Sequence, residues 1–145
     1  FPTRRSSDLG NIPYISSTSM NNGVDNFIGN KTNVRIFSDC LTIANSGSVG
    51  ATFYHPYKFI GSDHITNLKN QNFNKYIYLF ISTLASRLSE KYNFNREIND
   101  KRISREKIML PINEKNEKQI CKEINRSIAC NCNVSIYGCL RREHR

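Results

Sequence analysis

Ser46, Ser48, His55 and the pair Asp63-His64 come closest to a nucleophile set in this sequence. A catalytic serine needs a base within hydrogen-bond reach and a third group to orient that base. The elbow that exposes such a serine reads Gly-x-Ser-x-Gly and leads from a strand into a helix. Here the run Ser46-Gly47-Ser48-Val49-Gly50 leads into a second strand pattern, Thr52-Phe53-Tyr54-His55. The spacing therefore predicts a hairpin turn whose glycines supply positive φ. Gly47-Ser48-Val49-Gly50 also lacks the Lys-Ser/Thr that a phosphate-cradling loop requires. Asp63-His64 fits a turn-to-strand junction better than a catalytic pair. No catalytic residue is assigned.

Metal ligation is the next chemistry to weigh. Cys121, Cys130, Cys132, Cys139 and His144 crowd the end of the chain, but their spacing matches no paired CxxC knuckle. No metal ligand is assigned, and a zinc-dependent binding module is kept as the lesser alternative. With Cys40 the cysteines number five, and no secretory signal opens the chain. That combination argues for free thiols in a reducing compartment, so a cytoplasmic location is expected.

Charge gives the stronger lead. The 145 residues carry 21 Lys+Arg against 12 Asp+Glu, a net charge of +9. Such a surplus favours an anionic partner, and nucleic acid ranks ahead of a membrane because no basic amphipathic anchor is visible. No run approaches the eighteen apolar residues of a membrane span. The cations concentrate in Asn93 to Lys107, where Arg96, Lys101, Arg102, Arg105 and Lys107 face Glu97, Asp100 and Glu106. Arg and Lys neutralise phosphates, and Arg also reads guanine edges. A solvated, self-paired loop is the competing reading of the same residues. Arg96, Lys101, Arg102 and Arg105 are the phosphate-binding candidates of this segment.

These residues need a scaffold, and Leu41 to Lys69 is its centre. Cys40–Asn45 has small and apolar residues on both faces, as in a buried strand. Strands are predicted over 12–16, 24–28, 40–45, 52–55, 64–69 and 108–111, with a turn at Asn22-Gly23 and a loop over 29–35. Asn74 is a suitable N-cap for a helix over 75–92. Its apolar stripe is Ile77, Ile81, Leu84 and Leu88, widened by Tyr76, Phe80 and Tyr92. The fold class is α+β: a mixed, mostly antiparallel sheet with one long amphipathic helix packed on it. Ile120, Ile124 and Ile128 fall at helical spacing within 114–128. Residues 1–9 read like translated adapter sequence and are set aside as foreign. Residues 129–145 show no pattern and are unassigned, as an out-of-frame stretch or a second foreign end.

Four ordered segments carry a family resemblance: Ile-Pro-Tyr-Ile-Ser-Ser at 12–17, Asn-Asn-Gly-Val at 21–24, Leu-Thr-Ile-Ala-Asn-Ser-Gly-Ser-Val-Gly at 41–50 and Phe-Tyr-His-Pro-Tyr-Lys-Phe at 53–59. Ser62-Asp63-His64, the helix and Lys107-Ile108-Met109-Leu110-Pro111 continue it. Together they resemble the target recognition domain of type I restriction-modification specificity subunits, including type IIG and BcgI-like relatives. The resemblance covers residues 10–115, and Glu117-Lys118-Gln119-Ile120 looks like the start of the family's spacer helix, over 116–128. It implies a non-enzymatic specificity module that selects a DNA site and directs methylation and cleavage by partner subunits. In such a module Arg96, Lys101, Arg102 and Arg105, with Lys58, would neutralise phosphates, and the turn serines Ser46 and Ser48 would approach base edges. The methyltransferase subunit would use S-adenosylmethionine, the restriction subunit ATP and Mg, and this chain no cofactor. It also implies half of such a protein at most. The alternative within the resemblance is the C-terminal recognition module of a single-chain type IIG enzyme.

Overall fold

A computed structural model describes residues 9–30, 32–71, 73–111, 131–135 and 141–142. The fold class is α+β, with two four-stranded, mostly antiparallel sheets and one main helix. The first sheet has the order β2 (Val24–Ile28), β1 (Leu9–Ile15), β6 (Phe59–Gly61), β3 (Arg35–Phe37), and the second β10 (Arg141–Arg142), β7 (Ile65–Lys69), β4 (Cys40–Ala44), β5 (Thr52–His55). In the first, β1 (Leu9–Ile15) pairs antiparallel with β2 (Val24–Ile28) and parallel with β6 (Phe59–Gly61), which pairs with β3 (Arg35–Phe37). In the second, β4 (Cys40–Ala44) lies between β5 (Thr52–His55) and β7 (Ile65–Lys69), antiparallel to both.

All five residues of β4 are buried, because each of its faces meets a different layer. Leu41 and Ile43 join a core shared with Leu68, Ile77, Tyr78 and Ile81 of the helical layer. Cys40 joins Ile15, Phe37, Phe59 and Ile65 in a second core between the sheets. His55 of β5 is buried beside that second core. Its ring stacks at a tilt on Phe59, 4.9 Å between centroids, and hydrogen bonds join Nε2 to Thr42 Oγ1 (2.9 Å) and Nδ1 to the Tyr57 hydroxyl (3.1 Å).

Helix α1 (Lys75–Ala85) starts where Asn74 Oδ1 accepts the backbone N–H groups of Tyr76 and Ile77, at 3.0 and 3.1 Å. It buries Ile77, Tyr78, Ile81 and Ala85 against β4 and β5. Each large side chain so buried contributes about 1.5–3 kcal/mol. Tyr78 stacks on Tyr54 at 4.9 Å, while Tyr76, placed in the apolar stripe by the sequence, faces solvent. The helix is also shorter than its periodicity predicts. It tightens after Ala85 into a 3₁₀ turn over Ser86–Glu90. Ser82, Thr83, Ser86 and Ser89 each return a hydroxyl hydrogen bond to a carbonyl three or four residues back, at 2.8–3.0 Å. Such bonds compete with the helical ladder and bend it.

The loop expected over 29–35 gives way to β3 at Arg35, and β6 is a strand the periodicity did not single out. Both are three residues long, too short for an alternating pattern to register. Strand β8 (Lys107–Pro111) closes the described core and pairs with β9 (Asn131–Ser135), and β10 (Arg141–Arg142) extends β7. The spacer helix expected over 116–128 lies outside the described residues, as does all of the set-aside stretch 1–9 except Leu9, which opens β1.

Candidate nucleic-acid interface

One end of the second sheet gathers four connecting segments, and Asn45 is where they meet. Its backbone N–H donates to the His64 carbonyl at 2.8 Å, and its own carbonyl accepts the N–H of Ile98 at 3.1 Å. Its side-chain oxygen accepts the Thr66 hydroxyl at 2.8 Å. The turn after β4, the turn before β7 and the basic segment are thereby fixed to one another. The loop after β1 joins through Ser48, whose N–H donates to Ser17 O at 2.9 Å and whose hydroxyl donates to Ser19 Oγ at 3.3 Å.

The glycines of the turn allow this crowding. Gly47 has φ +59, and a Cβ there would lie 2.7 Å from Ser17 O. Gly50 has φ +87, and a Cβ there would lie 2.6 Å from the backbone nitrogen of Ser89. Left-handed backbone and close approach both require glycine. The turn is thus wedged between the loop after β1 and the 3₁₀ turn after α1.

The basic segment is a built structure. Ile98 and Ile103 are buried in the main core and pin it at two points. Between them Asn99 accepts the Arg102 N–H on its side chain at 2.9 Å and starts the one-turn helix α2 (Asp100–Ile103). At its near end, Asn93 and Arg96 bridge through two backbone hydrogen bonds, 2.9 and 3.3 Å, forming a two-residue hairpin with Phe94-Asn95 at the tip. Asn93 Oδ1 accepts the Asn95 N–H at 3.0 Å and stiffens that tip. At its far end Glu106 accepts Lys91 Nζ at 2.6 Å and the Tyr92 hydroxyl. Burial raises the Glu106 pKa, but these hydrogen bonds outweigh it and hold the carboxyl below its ordinary range. Burial, and then the Glu106 bond, raise the pKa of Tyr92.

The predicted site residues divide between two ends. Arg96, Lys101, Arg102 and Arg105 lie on the basic segment. Arg96 places its guanidinium 5.3 Å from the Tyr92 ring centre, and Arg102 donates to the Glu97 carbonyl. Arg96, Lys101 and Arg105 are exposed, and Arg102 is half-buried. Ser46 and Ser48 sit in the adjoining turn, with Ser48 engaged by Ser17 and Ser19. Lys58 is exposed between β5 and β6, beyond the His55↔Cys40 end of the second sheet. The five residues of β4 separate it from Asn45, a span of about 13 Å at ordinary strand rise.

Asp63 pairs with Arg35 at 3.3 Å, and Arg35 also donates to the Ser62 carbonyl. His55, by contrast, is fully buried, and desolvation lowers its pKa to about 4, so its ring is neutral near pH 7. The structure thus places the two histidine candidates in unrelated settings. Among the described residues, no group of three or more His, Cys, Asp and Glu is arranged to hold a metal. The side chains of Cys121, Cys130, Cys132, Cys139 and His144 lie outside the described residues.

Sequence reasoning missed several features of this end. Asn21 and Asn22 adopt left-handed backbone, with φ of 48 and 53. Met20 is 69% exposed and Phe94 is 77% exposed, the two most exposed large apolar side chains among the described residues. Asn22-Gly23 signalled the turn, but nothing local signals that Met20 and Phe94 lack cover. The assembled end presents Arg, Lys, Asn and Ser, the residue types that protein–DNA complexes in general use on phosphates and base edges.

Comparison with known proteins agrees with that chemistry. The family model for the type I restriction modification DNA specificity domain matches residues 1–131. The BgcI specificity subunit S.BcgI, of a type II restriction enzyme from Heyndrickxia coagulans, is 36% identical over 104 residues. That alignment takes in 70% of this chain and 30% of the relative, so the chain spans under a third of the curated relative it matches. No solved structure matches the chain. Among the described residues, no helix is long and apolar enough to cross a membrane.

Proposed function

The chain belongs to the type I restriction modification DNA specificity domain family, and from that premise we propose that its Asn45-centred end binds double-stranded DNA and selects the target site. The observation that carries this reading is the pinned basic segment. Buried Ile98 and Ile103, with the Ile98 N–H on Asn45, hold exposed Arg96, Lys101 and Arg105 beside the Ser46–Ser48 turn. A segment whose backbone is already pinned loses less freedom when its cations meet a phosphate backbone, which favours binding. The cations would set the register on the duplex. Ser46 and the asparagines of the neighbouring loops would meet base edges, where Asn recognises adenine with paired hydrogen bonds.

In this reading the chain is a non-catalytic specificity module. A methyltransferase subunit using S-adenosylmethionine and a restriction subunit using ATP and Mg act in the cytoplasm on the site it chooses. The curated relative is named as a specificity subunit of a type II enzyme, so a type II assembly is the second context, with the single-chain type IIG enzyme as one form of it. The reading frame preceding this chain in its genome separates the two: a fused methylase motif such as Asn-Pro-Pro-Tyr indicates the single-chain enzyme.

Selection from a pool of random duplexes tests DNA recognition. The reading predicts enrichment of one defined sequence. Recovery of an unenriched pool, under conditions where the chain is folded, contradicts it.

A further inference from the structure

We propose that Phe94 is a specificity-determining wedge, inserted into a base-pair step of the bound duplex; this rests on the DNA-binding reading above. Phe94 is the most exposed large apolar side chain among the described residues, at 77%. An exposed phenyl ring is unremarkable on a loose loop, but this one is held. It sits at the tip of a two-residue hairpin closed by two Asn93–Arg96 backbone bonds and stiffened by the Asn93 side chain. Behind the tip, Tyr92 is buried, its hydroxyl bound to Glu106 and its ring 5.3 Å from the Arg96 guanidinium. Beyond the tip, Ile98 is buried and fixed to Asn45. The chain therefore anchors both legs of a short hairpin and leaves Phe94-Asn95 at its exposed tip.

The charge around the tip favours nucleic acid over a protein partner. Arg96 flanks it with Glu97 next in the chain, and the exposed cations Arg96, Lys101, Arg105 and Lys107 outnumber that acid on the same pinned segment. Apolar side chains flanked by cations enter base steps, unstack them and kink the duplex. The energy of opening a step depends on its sequence and is least for pyrimidine–purine steps such as TA and CA. A wedge at Phe94 therefore reads one step of the site by deformability, where hydrogen-bonding side chains read others by their edges. Asn95, beside it on the tip, is placed to meet an edge of the opened step.

The full chain first selects its preferred duplex from a random pool, and 2-aminopurine then replaces each central adenine in turn. With the native chain, fluorescence rises at one step as its bases unstack. Phe94→Ala abolishes that rise and weakens binding to the selected duplex roughly 5- to 100-fold, the range seen when stacking aromatics are truncated. Phe94→Leu, which keeps an apolar wedge, restores most of both signals. The salt dependence stays the same in all three proteins, because the cations are untouched. Unchanged affinity and unchanged unstacking in Phe94→Ala overturn the wedge while leaving DNA recognition intact, and this is the result a protein-contact role for Phe94 would give. Failure of the native chain to bind any duplex overturns the DNA reading and the wedge with it.

Discussion

Ile98 donates its backbone N–H to the carbonyl of Asn45 at 3.1 Å, so the basic segment hangs from the first residue after β4. The same asparagine holds the start of β7 through His64 and Thr66. The bond turns a polar, highly charged stretch into part of the sheet's end. Ile98→Ala would remove a side chain that is 3% exposed from the main core. We expect a loss of about 2–4 kcal/mol in chemical denaturation. A loss within experimental error of zero means the segment is not anchored there.

Gly50→Ala tests the wedged turn. The added methyl meets the Ser89 backbone at 2.6 Å, at a φ of +87. Neither contact can relax cheaply, since one is backbone and the other is left-handed strain. We expect destabilisation of about 2–4 kcal/mol in denaturant melts. A neutral Gly50→Ala would show that the turn does not pack on the 3₁₀ turn.

His55 sets a pH dependence of stability. Its pKa is lowered to about 4 by burial, while an unfolded histidine titrates near 6.5. The unfolded chain therefore binds the proton first as the pH falls. The stabilisation is complete above about pH 6.5 and is lost between there and about pH 4, amounting to roughly 3 kcal/mol. Denaturation midpoints measured from pH 7 to pH 4 should fall accordingly. His55→Gln should flatten that window, and an equal slope in the variant assigns the effect elsewhere.

Glu106 acts in a lower window with the opposite charge. Its side chain is only 12% exposed, and its carboxyl is held low by Lys91 and Tyr92. Its contribution is present above the unfolded carboxylate pKa, near 4.3, and is lost as pH falls through the lower folded value. Glu106→Gln is expected to cost about 1–3 kcal/mol at pH 7 by weakening two hydrogen bonds to a charged group. No change at pH 7 would mean that the Lys91–Glu106 link contributes nothing.

Much of this architecture was legible in the chain, for identifiable reasons. Asn74 followed by the 77/81/84/88 spacing located the start of α1, because capping and amphipathicity are local properties. The end of α1 was not legible, since serine back-bonding overrides a stripe that runs on to Tyr92. Cys40–Ala44 read as buried on both faces because it is apolar on both. The cations of 96–107 were visible as charge, but their fixation was not. Ile98 and Ile103 are two isolated apolar residues in a polar stretch, and only the tertiary core explains them. Lys58 entered the same candidate set on charge, yet three-dimensional placement puts it at the other end of the sheet from Asn45.

Fluorescence anisotropy of a labelled duplex, titrated with the chain between 50 and 200 mM salt, tests the central claim most directly. Three proteins are compared: native, Arg96→Gln/Lys101→Gln/Arg105→Gln, and Lys58→Gln. Each phosphate neutralised contributes about −0.9 to the slope of log affinity against log salt. The triple variant should lose close to 3 units of slope. Lys58→Gln should change it by less than about half a unit. A triple variant with the native slope, or a Lys58→Gln that by itself loses close to one unit, would contradict the assignment of DNA binding to the Asn45 end.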